Sequence, residues 1–245
     1  MARYKVILAY DGTQFFGSQR QAEARTVQSE FEVALRKLGW QGQSIILAGR
    51  TDAGVHANGQ VAAFDLNWNH PSQALLRALN ALLPKDVSIR STEECADDFH
   101  PRFDATWRRY CYTIICDPAR DPLKERYAWR VWPVLDFDLL QAAAGIITGT
   151  HDFSPFGRPT RQNGSTIRQV FHAGWKQDGS QLSFEVTANA FLYHMVRRMV
   201  FVQVSCGHRR LNLEKISQVL RNPQNQPVFQ GLAPARGLSL IERGY

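Results

Sequence analysis

The chain has 245 residues, of which 44% are hydrophobic, 21% charged and 11% aromatic. This length and composition exclude a disordered chain, and they allow one large domain or two smaller ones, each with its own core. The formal net charge of +7 favours a polyanionic partner, although many basic proteins never bind nucleic acid.

The cysteines and the apolar segments limit the compartment and the kind of site. Cys95, Cys111, Cys116 and Cys206 form no C-x-x-C pair, so the sequence predicts free thiols in a reducing cytosol and no metal site. No run approaches the roughly 20 apolar residues of a membrane helix, and the N-terminal apolar stretch is too short for a secretory leader. We therefore expect a cytoplasmic protein without a membrane partner.

Hydrophobic periodicity predicts six elements in the first half of the chain. In chain order they are strand 3–10, helix 27–38, strands 44–48 and 58–66, helix 72–83 and strand 86–92. Thr26 is a suitable N-cap for the first helix and Gly39 a suitable C-terminal stop, and Pro84 ends the second helix. The order β-α-β-β-α-β is that of a split, ferredoxin-like unit.

The second half roughly repeats this order after a proline-containing connection, 117–133. Its predicted elements are strand 109–116, helix 136–148, strands 165–175 and 181–188, an apolar helix 191–206, a short helix 212–221 and strand 237–242. We therefore predict an α+β fold of two ferredoxin-like halves, residues 1–100 and 101–245, whose antiparallel sheets lie side by side with a central cleft.

The segment GRTDAGVHA, residues 49–57, lies between two predicted strands and must form a tight loop. Gly49 and Gly54 permit backbone conformations closed to other residues, so a partner could approach closely. Arg50 precedes Asp52 by two residues, and a cation that close favours the ionised carboxylate that a nucleophile requires. The competing explanation is an Asp that caps a turn and pairs with Arg, and for an isolated R-T-D it is the better one. The segment contains neither a P-loop nor a G-x-G-x-x-G motif.

The same segment closely resembles the signature loop of the TruA family of tRNA pseudouridine synthases. Six further blocks resemble that family in the same order along the chain. They are YDGTQFFGSQ at 10–19, FHPRFDAT at 99–106, RRYCY at 108–112, GTHDFSPF at 149–156, NAFLYHMVRRM at 189–199 and APARGL at 233–238.

The resemblance implies an isomerase that breaks the uridine N1–C1′ bond, turns the base and re-forms the link through C5, with no cofactor. The implied substrate is the anticodon stem-loop of tRNA, at uridines 38, 39 and 40. The family also implies a homodimer with a basic cleft on each side. The first half would then carry the catalytic loop, and the second half the RNA-binding and dimer elements.

The resemblance also assigns roles to individual residues. Asp52 is the essential carboxylate, and attack at ribose C1′, attack at base C6 and a glycal route all stay open. Arg50 is placed to keep Asp52 ionised and to help splay the RNA. Tyr110 stacks on the target base, and its hydroxyl accepts a proton late in the reaction, whereas without the family match a core tyrosine is the better explanation.

Two arginines match family positions that bind substrate near the cleft, Arg168 and Arg197. An Arg on an apolar helix is costly to bury without a partner, so we hypothesise that Arg197 pairs with Asp52. Five more arginines are candidates for phosphate contact, although a solvated surface charge is the better explanation for each one singly. They are Arg158, Arg161, Arg198, Arg209 and Arg210.

The chain departs from the family pattern at three positions. Ser18 stands where the family usually has Trp, Arg198 where it has Asn, and Phe201 where it has Gly. We expect Phe201 to change the packing of its helix and Ser18 to alter an edge contact, and neither to touch the GRTDAGVHA loop.

Two other functions stay open. A non-catalytic RNA-binding protein on the same fold has no need for a carboxylate that faces phosphates, so Asp52 argues against it. A metal-dependent nuclease needs clustered acids, and only Asp65 lies within reach of Asp52 in the sequence.

Overall fold

The computed structural model describes residues 1–161, 163–223 and 227–245. The chain divides into two compact units, the first formed by Met1–Thr106 with Ser239–Tyr245 and the second by Trp107–Leu238. Helices and strands occur in both units, so the fold is α+β, as predicted.

The described ranges contain ten strands and five α-helices. The strands are β1 (Ala2–Tyr10), β2 (Ile46–Leu47), β3 (His56–Leu66), β4 (Val87–Cys95), β5 (Trp107–Cys116), β6 (Trp129–Val131), β7 (Gly149–Asp152), β8 (Ile167–Asp178), β9 (Gln181–Ala188) and β10 (Leu238–Gly244). The helices are α1 (Val27–Lys37), α2 (Ser72–Leu82), α3 (Phe137–Ile146), α4 (Met195–Gly207) and α5 (Leu213–Arg221).

In the first unit the chain order β1-α1-β2-β3-α2-β4 agrees with the prediction. Strand β1 lies between β3 and β4 and is antiparallel to both, and β2 is antiparallel to β3. The predicted inward face of β1 is confirmed, because Tyr4, Val6 and Leu8 are fully buried. The buried residues Phe31 of α1 and Leu79 of α2 belong to the same apolar core, which makes this sheet a rigid support for the loops at its ends.

The capping signals predicted for α1 are confirmed. The Ser29 N–H donates to Thr26 Oγ1 at 3.2 Å, and the Thr26 N–H donates to Ser29 Oγ at 3.1 Å, which completes a capping box. Gly39 follows the helix with φ +87°, a conformation that favours glycine. The start and end of α1 are therefore fixed by local sequence.

The last strand belongs to the first unit, whereas the predicted boundary assigned residues 101–245 to the second half. Strand β10 runs parallel to β3, with Ser239 opposite His56 and Leu240 opposite Ala57. A Cβ at Gly59 would lie 2.3 Å from the carbonyl oxygen of Ile241, so glycine permits this close approach. The expectation of purely antiparallel sheets is wrong at this pair, because the chain returns to β3 in the same direction.

In the second unit the sheet order is β5-β9-β8-β7, all antiparallel, and β6 runs parallel to β5. Helix α4 begins at Met195, four residues later than predicted, because His194 has φ +65° and cannot continue a right-handed helix. The extra strands and α5 depart from a six-element order, and a ferredoxin-like fold for each half stays a prediction.

Within the described ranges, α-helices are all too short or too polar to span a bilayer.

Candidate active site

Asp52 lies in the loop that joins β2 to β3, residues 48–55, called the Asp52 loop below. The Val55 N–H donates to the Asp52 carbonyl at 3.2 Å, and Gly54 adopts φ +76°. A glycine with positive φ at the third position of a four-residue turn is typical of a type II turn. The turn leaves Asp52 partly exposed, so the residue is not sealed inside the protein.

The Asp52 loop packs against a second segment, Gly12–Ser18, called the docking segment below. The Gly54 N–H donates to the Phe15 carbonyl at 3.2 Å, and the Ser18 N–H donates to the Thr51 carbonyl at 3.1 Å. The two strongest sequence motifs of the first half therefore form one structure. Their backbone hydrogen bonds hold the turn that carries Asp52.

Two glycines allow the docking segment to approach this closely. A Cβ at Gly12 would lie 2.0 Å from the carbonyl oxygen of Val55, a distance that no side chain tolerates. Gly17 has φ +95°, and its Cβ would lie 2.9 Å from the Thr51 carbonyl oxygen. Backbone-to-backbone contact at both ends of the segment therefore requires glycine.

Buried polar side chains support the inner side of the Asp52 loop. The hydroxyls of Tyr10 and Thr51 are 2.8 Å apart, and Gln60 Nε2 donates to the Gly49 carbonyl at 2.9 Å. Arg243, only 9% exposed, donates from Nη1 to the Ala48 carbonyl at 3.1 Å. Because buried carbonyls and hydroxyls need partners, these bonds favour one loop conformation.

Ser18 takes part in this contact, and the expectation that it would not touch the loop is wrong. Its side chain is fully buried, and its Oγ accepts the Thr51 N–H at 2.8 Å. A serine is small enough to enter the interface between the two segments and polar enough to satisfy a buried amide. Spacing along the sequence could not reveal this, because residues 18 and 51 are far apart in the chain.

Phe201, which stands on α4 where the family usually has Gly, contacts two segments of the second unit. Its ring lies parallel to that of Trp129, with centroids 6.5 Å apart. It also fills the space above Gly231, where a Cβ would meet the ring at 2.2 Å. Phe201 therefore packs in the second unit, and the change of helix packing relative to glycine stays a prediction.

Arg50 lies two residues before Asp52 on the outer side of the loop. Its side chain is exposed, and it forms no hydrogen bond or ion pair with any residue that the structure describes. The predicted effect of Arg50 on the ionisation of Asp52 stays a prediction. An exposed guanidinium beside the loop is available to a substrate.

Tyr110 on β5 differs sharply from its neighbour Tyr112. Tyr110 is partly exposed, and its ring meets Phe191 edge to face, with centroids 5.1 Å apart. Tyr112 is fully buried and donates to the Pro234 carbonyl at 2.8 Å, and burial raises the pKa of its hydroxyl. Tyr112 is therefore a core tyrosine, whereas Tyr110 is partly exposed to solvent.

The arginines predicted to bind substrate contact backbone carbonyls. Arg168 on β8 donates from Nη1 to the carbonyls of Ser165 and Ile167, at 2.9 and 2.6 Å, and burial lowers the pKa of its guanidinium. On α4, Arg197 Nε donates to the Ala233 carbonyl at 2.8 Å. An arginine keeps its charge under such a shift, so Arg168 remains a cation.

Arg198, a predicted phosphate contact, is held from two sides. Its Nε donates to the Phe229 carbonyl at 2.9 Å, and its Nη1 donates to the Phe156 carbonyl at 2.7 Å. Burial lowers the pKa of this guanidinium. These bonds tie α4 to two other segments, which gives Arg198 a structural role that the sequence did not reveal.

Among residues 1–161, 163–223 and 227–245, no three side chains of His, Cys, Asp or Glu come together as a set that could hold a metal ion.

The close contact at Gly12 predicts that an alanine there destabilises the protein, whereas an alanine at a glycine with open space does not. Gly12→Ala should lower the free energy of unfolding by about 1–3 kcal/mol, because its methyl group overlaps the Val55 carbonyl. The matched control is Gly145→Ala in α3, where a Cβ meets nothing within 4 Å, and it should stabilise by about 0.5–1 kcal/mol. Urea unfolding measures both, and equal stability of the two variants would contradict the contact.

The family model described as tRNA pseudouridine synthase matches residues 6–104 and 143–245. These two stretches include the docking segment, the Asp52 loop and helix α4.

Curated relatives match over the whole chain. The tRNA pseudouridine synthase A of Limosilactobacillus fermentum is 38% identical over 250 residues, covering 100% of this chain and 96% of the relative. That of Chloroflexus aurantiacus is 40% identical over 252 residues, covering 100% and 89%. A solved structure, a Cbf5–Nop10–Gar1 complex, matches 97% of this chain and 57% of its own at 12% identity, with a TM-score of 0.36, too low to bear on the fold. Through the family model and these relatives, the chain belongs to the tRNA pseudouridine synthase family.

Proposed function

We propose that the chain isomerises uridine to pseudouridine in the anticodon stem-loop of tRNA, at positions 38, 39 and 40. Membership of the tRNA pseudouridine synthase family supports the reaction and the class of substrate. The position within the tRNA rests on the resemblance of the sequence motifs. The observation that carries the proposal is a partly exposed Asp52 on a turn fixed by a second motif.

The reaction needs an ionised carboxylate beside the nucleoside. Breaking the N1–C1′ bond leaves the electron pair on N1 and electron deficiency at C1′. The new C1′–C5 bond forms with loss of the C5 proton, and N1 gains a proton, so the product is an isomer of uridine. Asp52 serves this chemistry as the essential carboxylate, by attack at C1′, attack at C6 or a glycal route, and internal hydrogen bonds already hold the backbone of its loop. A preorganised loop avoids reordering during the reaction.

The other predicted site residues act on the RNA rather than on the bond that breaks. Tyr110 stacks on the target base, which must regain stacking energy after it leaves the helix, and its partly exposed ring suits this role. Arg168 and Arg197 supply positive charge toward the substrate, and Arg50 contacts it from the outer side of the loop. The pairing of Arg197 with Asp52 stays a prediction.

The proposed partner is tRNA, and the net charge of +7 suits a polyanion. We further propose a homodimer in the cytoplasm, on the resemblance of the motifs to the family. The free, partly or fully buried cysteines suit a reducing compartment. The reaction as written requires no cofactor.

Replacing the carboxylate tests the function directly. Asp52→Asn should keep tRNA affinity and abolish turnover, because it removes the charge and changes little shape. The assay is tritium release from tRNA labelled at C5 of uridine, together with a binding measurement. The matched control is Asp98→Asn, which removes a carboxylate from an exposed turn of the same unit and should leave turnover unchanged.

The same assay separates the alternatives. Tritium release without strand cleavage supports the isomerase, binding without release supports an RNA-binding protein, and chelator-sensitive scission supports a nuclease. An Asp52→Asn variant that still forms pseudouridine contradicts the assignment of Asp52.

The role of Tyr110 predicts two separable effects. Tyr110→Phe keeps the ring, so tRNA affinity should persist while kcat falls by a factor of about 100 or more if the hydroxyl moves a proton. Tyr110→Ala should also weaken binding, by about 1–3 kcal/mol for one lost base stack. Tyr112→Phe, which removes the buried hydroxyl bonded to Pro234, should leave kcat unchanged. Wild-type kcat and affinity in both Tyr110 variants would rule out the role.

A further inference from the structure

We propose that Ser18 is a positioning residue for Asp52. Its buried hydroxyl accepts a hydrogen bond from the backbone of Thr51, the residue immediately before Asp52 in the Asp52 loop. Nothing in the sequence motifs assigns Ser18 a role, and its side chain acts through Thr51 rather than on the substrate. The inference rests on the proposed function, in which Asp52 is the essential carboxylate.

Ser18 binds both backbone groups of Thr51. The Thr51 N–H donates to Ser18 Oγ at 2.8 Å, and the Ser18 N–H donates to the Thr51 carbonyl at 3.1 Å. Ser18 is 0% exposed and Thr51 8% exposed, so water does not compete freely for these bonds. The residue immediately before Asp52 is therefore fixed at both its amide and its carbonyl by one partner.

Ser18 is itself anchored to the start of α1. The Gln28 N–H donates to the Ser18 carbonyl at 2.9 Å, and the Val27 N–H donates to the Gly17 carbonyl at 3.4 Å. Gln28 is 5% exposed, and its Nε2 donates to Glu32 Oε1 at 2.9 Å within the same helix. Because α1 packs in the core, Ser18 is a rigid point against which the loop is placed.

No other group at Thr51 is placed to accept the hydrogen bond that the Thr51 N–H donates to Ser18 Oγ. Its side-chain hydroxyl is 2.8 Å from the Tyr10 hydroxyl, and its carbonyl already accepts from Ser18. Without the Ser18 hydroxyl, the Thr51 N–H would be a buried donor without an acceptor, and a backbone shift is the way to relieve it. Any such shift moves the adjacent Asp52, and displacements near 1 Å can lower rates about 100-fold.

The first test is Ser18→Ala, assayed by tritium release from C5-labelled tRNA. We expect kcat to fall by about 10- to 100-fold while KM and tRNA affinity stay at wild-type values, because the loop moves and the RNA-binding surface does not. Thermal unfolding of the same sample shows whether the variant is folded at the assay temperature.

The matched control is Ser29→Ala at the start of α1. Ser29 Oγ also accepts a backbone N–H, from Thr26 at 3.1 Å, but it lies on the helix cap rather than on the loop. This variant should lose stability and keep wild-type kcat. A purely structural role for Ser18 predicts that the two alanine variants behave alike.

A second pair of variants keeps the test decisive if Ser18→Ala is unfolded. Thr and Val have the same shape, so Ser18→Thr and Ser18→Val impose the same crowding and differ in the hydroxyl. We expect kcat of Ser18→Thr to exceed that of Ser18→Val by about 10-fold or more.

Equal kcat in Ser18→Thr and Ser18→Val, or wild-type kcat in Ser18→Ala, would overturn the inference and leave the proposed function standing. A wild-type chain that releases no tritium would instead overturn the proposed function.

Discussion

The backbone contact between the docking segment and the Asp52 loop is the constraint on which the site depends. Gly12 and Gly17 bring one chain segment against another at distances that a methyl group would prevent. Hydrogen bonds from Gly54 to Phe15 and between Ser18 and Thr51 then fix the turn. A reactive carboxylate on a loop gains its geometry from such a contact, since a loop alone has many conformations.

This contact gives a physical reason for two motifs that are distant in the sequence. One motif contributes the carboxylate and its turn, and the other contributes the two glycines that allow the close approach. Ser18, a departure from the family pattern, adds hydrogen bonds that hold the loop in this chain. The buried polar residues beneath the loop complete the arrangement, because Tyr10, Gln60 and Arg243 satisfy groups that would otherwise be unpaired. Within the Asp52 loop, Arg50 is exposed and Asp52 is partly exposed.

The elements of the first unit were predictable because they follow local rules. The alternation that buries Tyr4 and the cap at Thr26 act over a few residues, and both are confirmed. The start of α4 at Met195 was not predictable, since it depends on one left-handed residue, His194, inside an apolar run. The role of Ser18 and the pairing of β10 with β3 depend on contacts between distant segments, which periodicity does not encode.

Hydrogen exchange of the backbone amides in the free protein tests the central claim, that the Asp52 loop is held in place before RNA binds. The amides of Thr51 and Gly54 donate to Ser18 and Phe15, so they should exchange slowly, like strand amides and unlike the exposed turn residue Gly179. Exchange at Thr51 and Gly54 as fast as at Gly179, slowing only when tRNA is added, would contradict the account.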